Sequence, residues 1–106
     1  MNNIVHYKNQ DVGILGLGLS GLAAAKVLLN SKANIFVFDD KKEKPSIIKK
    51  KNWINYNYWP WESLKTLVVS PGIPIYNKQK HNAIKLAIDN KVQIINDIDL
   101  LIETNP

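Results

Sequence analysis

The chain has 106 residues, 45% of them hydrophobic and 22% charged, no cysteine, and a formal charge of +5. Such a length suits one domain, near the lower end for a doubly wound sheet, and the composition is that of a soluble globular protein. Disulfide and thiol chemistry are excluded, no apolar run reaches the roughly 18 residues of a membrane span, and Met1-Asn2-Asn3-Ile4-Val5-His6 lacks the regions of a signal peptide. A cytoplasmic, monomeric protein with no membrane partner is the expectation. All the basic residues are lysine. Without arginine to fork onto guanine or phosphate, the Lys41-Lys42-Glu43-Lys44 and Lys49-Lys50-Lys51 clusters read as solvated surface, and no nucleic acid is expected as a partner.

In chain order, Asp11 to Leu15 predicts a short apolar strand, and Ser20 to Ser31 a helix whose inward stripe is Ala24, Val27 and Leu28. Asn34 to Phe38 predicts a second strand. The segment Pro45 to Tyr58 has weak periodicity, with a short helix over Ser46–Lys51 and a short strand near Trp53–Asn55 as its expected elements. Thr66 to Val69 is a buried strand that Ser70-Pro71-Gly72-Ile73-Pro74 breaks. A helix follows over about Lys78 to Asn90, burying Ile84, Ala87 and Ile88, and Val92 to Ile95 is the last strand. Asn96 or Asp97 caps a final helix through Glu103. Strands alternating with helices indicate βαβ units, hence an α/β, Rossmann-like three-layer domain with a mainly parallel sheet of about five strands.

The turn between the first strand and first helix carries Gly16-Leu17-Gly18-Leu19-Ser20-Gly21, a complete G-x-G-x-x-G. Each glycine has a mechanical task there: the tight turn at Gly16, close approach of a phosphate to the backbone at Gly18, and close helix–sheet packing at Gly21. The helix start then offers N–H groups and the positive end of its dipole to an anion. The pattern is not a phosphate-cleaving P-loop, because Leu22-Ala23 follow where Lys-Ser/Thr would be needed. The acidic pair Asp39-Asp40 lies about twenty residues on, at the end of the second strand, where such a fold meets a ribose.

Three loops therefore leave the carboxyl ends of parallel strands: Gly16–Gly21, Asp39–Lys41 and Ser70–Pro74. Open α/β sheets bind ligands at that rim. Blander roles stand beside these. Ser20 is a good helix cap, Asp39 can cap its own turn, and Ser70-Pro71-Gly72 is ordinary turn chemistry. His6 and His81 have no partner at metal-ligand or triad spacing and read as surface residues; Asp97 and Asp99 read as caps. Trp53, Trp59 and Trp61 suit loop packing better than base stacking.

Gly16-Leu17-Gly18-Leu19-Ser20-Gly21-Leu22-Ala23, Val68-Val69-Ser70-Pro71-Gly72-Ile73-Pro74 and Asn96-Asp97-Ile98-Asp99-Leu100 occur in the order and spacing of the N-terminal domain of a Mur ligase, and the chain resembles that family from about Lys8 to Glu103. The similarity is greatest to the branch that adds D-glutamate to UDP-N-acetylmuramoyl-L-alanine. The resemblance implies that the first domain holds the UDP part of this precursor, with no cofactor of its own. ATP and magnesium are implied for a central domain of the full-length ligase. Leu19 and Ser20 would contact the diphosphate, with Gly18 and Gly21 beside them in the UDP site; Asp39, Asp40 and Lys41 would surround uracil and ribose; and Ser70, Pro71 and Gly72 would form the opposite lip. Asp40-Lys41 stands where some relatives carry Thr-Arg, and an ammonium cannot stack on a base as a guanidinium does. Pro106 reads as the start of a linker, and the 106 residues alone are expected to be inactive in ligation. Two other readings remain open at this point: an NAD-binding regulatory or redox module, and a protein-interaction remnant that binds neither nucleotide.

Overall fold

A computed structural model describes residues 7–73 and 81–104. Four strands, β1 (Asp11–Leu15), β2 (Asn34–Phe38), β3 (Leu64–Val69) and β4 (Gln93–Asn96), alternate with helices α1 (Leu19–Asn30), α2 (Asn82–Asp89) and α3 (Asp97–Thr104). The sheet order is β2-β1-β3-β4, and every pair is parallel. This is the expected α/β, Rossmann-like arrangement. Beyond the β2 edge, the short strand expected near Trp53 is reduced to one parallel bridge with Val37.

Strand periodicity sorts the side chains onto two faces. Val12, Ile14, Ile35, Val37 and Val68 point to one side, where Ala24, Ala25 and Leu28 of α1 and Leu100 of α3 cover them. Leu15, Leu67 and Val69 point to the other, beneath Trp59, Trp61 and the Ala83-Ile84-Ala87 stripe of α2. Three layers follow, with the sheet buried on both faces. Gly13 is part of that packing: a Cβ there would stand 2.5 Å from the Trp59 ring.

Several local expectations change. The helix expected over Ser46–Lys51 does not form, and a 3₁₀ turn occupies Lys50–Asn52 instead. A segment this short cannot offset the cost of nucleating a helix, and the Lys44 ammonium donates to the carbonyls of Pro45 and Ile48 in a compact turn. In α1, Val27 is only half-buried while Gly21, Ala24, Ala25 and Leu28 are buried. In α2 the buried stripe is centred on Ala87, so Ile88, turned about 100° further round the helix, is 51% exposed. Residues 78–80 of the expected helix lie outside the described residues, as do His6 and Pro74. At α3, Asn96 rather than Asp97 is the cap: its Oδ1 accepts the Asp99 N–H at 2.7 Å while its Nδ2 donates to the Asp99 carboxylate. Asp97 is buried, its Oδ1 lacks a partner among the described residues, and burial raises its pKa against the bonds from its own and the Ile98 N–H.

Candidate functional site

The chain runs from β1 through α1 to β2 on one side, then crosses back to β3 on the other side of β1. The carboxyl ends of β1 and β3 thus flank the switch point, the position where open α/β sheets leave a crevice. Gly16 leaves β1 with φ +90°, a left-handed conformation that favours glycine. A Cβ there would also meet the Ser70 hydroxyl at 2.6 Å, so the two turns approach each other across the switch point. The Ser70 N–H bonds to the Leu15 carbonyl, and Ile73 closes the Ser70-Pro71-Gly72-Ile73 turn through the Ser70 carbonyl.

The helix start differs in detail from the expectation. Gly18 is the N-cap of α1, and no side chain caps the helix there. Ser20 is therefore the second helical residue and not the cap. The Leu22 N–H reaches the Gly18 carbonyl, which leaves the N–H groups of Leu19, Ser20 and Gly21 ahead of the intrahelical ladder. Nothing lies within 4 Å of where a Gly18 Cβ would be. Leu19 is 91% exposed beside that open space.

Asp39 is engaged with its own backbone. One carboxylate oxygen accepts the Leu17 N–H at 2.8 Å, and the other accepts the N–H groups of Lys41 and Lys42. Burial opposes ionisation, but these three bonds and the nearby Lys42 ammonium outweigh it and hold the carboxyl below its usual range. Lys42 in turn donates to the Leu17 carbonyl at 2.7 Å. The acid thus locks the glycine turn onto the loop after β2. Lys42, expected only as solvated surface, brings a positive charge to that turn.

Asp40 points elsewhere, to His81. The His81 Nε2 lies 2.5 Å from Asp40 Oδ2, while Nδ1 accepts the Ala83 N–H and caps α2. His81 is therefore no isolated surface residue. The missed signal was the pattern of a polar residue immediately before a helical stripe. Trp59 and Trp61 pack in the core as expected, their indole N–H groups on the carbonyls of Ile54 and Tyr56.

A cleft of about 210 Å³ opens on this rim, lined by Gly16, Asp39, Asp40, Lys41, Lys42, Ser70, Gly72 and Ile73. It gathers five of the expected site residues and adds Gly16, Lys42 and Ile73. Gly18, Leu19, Ser20, Gly21 and Pro71 do not line it; the first four belong to the neighbouring helix start. Its volume is below the roughly 300–1,000 Å³ of pockets that enclose a drug-sized ligand, so it suits one part of a larger molecule.

A family model for the Mur ligase MurD-like N-terminal domain matches residues 10–96. The chain belongs to this family. The MurD-like domain is 38% identical over 101 residues to the UDP-N-acetylmuramoylalanine–D-glutamate ligase of Wolbachia sp. subsp. Brugia malayi (strain TRS), covering 92% of this chain and 20% of that protein. Ligases of the same description from Bartonella henselae and Rickettsia prowazekii are 32% and 35% identical, over 96% and 92% of this chain and 22% of each relative. The MurD-like domain thus spans about a fifth of the length of these relatives. Among its described residues, no helix is long and apolar enough to cross a membrane.

Proposed function

We propose that this MurD-like domain binds the uridine diphosphate part of UDP-N-acetylmuramoyl-L-alanine, anchoring it for a ligase that adds D-glutamate in peptidoglycan synthesis in the cytoplasm. The observation that carries this reading is the uncapped start of α1 beside the open space over Gly18, on the same rim as the cleft at the switch point. Backbone N–H groups of Leu19 and Ser20, the helix dipole and the Lys42 charge favour a diphosphate there. The cleft between Asp40-Lys41 and the pair Ser70 and Gly72 receives the nucleoside. The sugar and its peptide extend away from the rim, and the binding energy of the nucleotide holds the distant reacting carboxylate in place.

The residues present do not fit an ATP-cleaving site, since Leu22 and Ala23 stand where a P-loop needs Lys and Ser/Thr. On this reading ATP and magnesium belong to other parts of the ligase, and these residues alone carry out no ligation.

An NAD-binding module shares the glycine turn and the acid after β2, and titration separates the two. Calorimetry with UDP, UDP-N-acetylmuramoyl-L-alanine and NAD should give binding of both uridine compounds and none of NAD. Binding of NAD without the uridine compounds would overturn the reading; binding of none would favour an interaction role.

A further inference from the structure

We infer that His81 is a positioning residue for ribose recognition, holding the Asp40 carboxylate to accept the 2′-hydroxyl of the bound nucleotide. The inference rests on the uridine-diphosphate reading and adds to it the residue that selects the sugar.

An acid after the second strand of a Rossmann-like unit meets the ribose. Two adjacent carboxylates compete for that place, and their hydrogen bonds separate them. Asp39 already accepts three backbone N–H groups, that of Leu17 on Oδ2 and those of Lys41 and Lys42 on Oδ1, which tie both its oxygens to its own turn. Asp40 lines the same cleft, its side chain is 44% exposed, and only its Oδ2 is bonded among the described residues. Asp40 is thus the acid with a whole oxygen, Oδ1, unbonded among the described residues.

His81 is fixed from two further sides. Its Nδ1 accepts the Ala83 N–H at 2.9 Å, so the neutral ring carries its proton on Nε2 and donates it to Asp40. The Tyr56 ring meets it edge-on, with centroids 5.0 Å apart. Only 14% of the His81 side chain is exposed. A rigid donor therefore sets the rotation of a carboxylate on an otherwise exposed loop, so that less side-chain freedom is lost when the ribose arrives.

The two ring nitrogens do different work, and two substitutions separate them. His81→Asn keeps a side-chain acceptor that caps α2 but is too short to reach Asp40. His81→Gln places an amide N–H near the Nε2 position but caps poorly. Calorimetric titration of the 106-residue chain with UDP and 2′-deoxy-UDP, beside thermal denaturation, reads both effects. His81→Asn is expected to stay folded and to weaken UDP about tenfold, while 2′-deoxy-UDP changes less than about twofold. His81→Gln is expected to retain UDP affinity and lose thermal stability. Wild-type affinity for UDP in His81→Asn overturns the inference, as does an equal loss for UDP and 2′-deoxy-UDP, or a His81→Gln variant as weak as His81→Asn. A wild-type chain that ignores UDP defeats the underlying reading instead, before any variant is compared.

Discussion

Gly21 rests on the carbonyl oxygen of Gly16: a Cβ at Gly21 would come within 2.5 Å of that oxygen. The contact brings the first turn of α1 down onto the loop leaving β1 and aims its N–H groups at the rim. Because the obstructing atom belongs to the backbone, relief requires the helix itself to shift. Gly21→Ala should therefore destabilise the domain by about 2 kcal/mol, as overpacked sites do. The midpoint of urea unfolding measures this, and an unchanged midpoint would mean that the helix start does not sit as described.

Asp39 should couple stability to pH. Its carboxyl is held below the usual range, so its ionised form stabilises the native state above the unfolded pKa of about 3.9, and that contribution is lost as pH falls through the lower folded value. Asp39→Asn leaves an acceptor for Lys41 and Lys42 but turns an amide toward the Leu17 N–H. The variant should be less stable at pH 7 by about 1–3 kcal/mol. The gap from wild type should narrow in urea titrations taken below about pH 3.9. A gap that persists undiminished in acid would contradict the assignment.

Both α1 and α2 end on a lysine in the left-handed conformation, Lys32 at φ 65° and Lys91 at φ 58°. The N–H groups of Ala33 and Val92 close these ends by reaching back to the carbonyls of Leu28 and Ala87. Glycine adopts this conformation without the Cβ penalty. Lys32→Gly and Lys91→Gly should each stabilise the domain by about 0.5–1 kcal/mol, and the double variant by the sum. Denaturant midpoints for the three variants test it; a loss of stability would mean that the lysine stems contribute packing that outweighs the backbone gain.

These endings show why parts of the fold were hidden in the sequence. Ser31-Lys32-Ala33 has no glycine to mark a stop, whereas Gly16, Gly18 and Gly21 announce the turn at the start of the same helix. The four strands were legible because alternating apolar residues face two covering layers. The irregular stretch from Pro45 to Tyr58 was not, since side chains bonded to distant backbone hold it, as when Asn52 donates to the Ile35 carbonyl. The rim was legible from the rule that ligand loops follow parallel strands. The pairing of Asp40 with His81, 41 residues apart, needed the fold itself to bring α2 beside the loop after β2. Likewise, the small size of Gly13 has meaning only once Trp59 lies over it.

The most direct test is Gly18→Val, followed by circular dichroism and calorimetric titration with UDP. Gly18 has φ −81° and open space around its missing side chain, so valine fits the folded chain; the stability change should stay within about 1 kcal/mol. The same side chain would fill the space through which a diphosphate reaches the N–H groups of Leu19 and Ser20. The expected result is a folded variant that no longer binds UDP while the wild type does. A folded Gly18→Val domain that binds UDP as tightly as the wild type would contradict the proposed site.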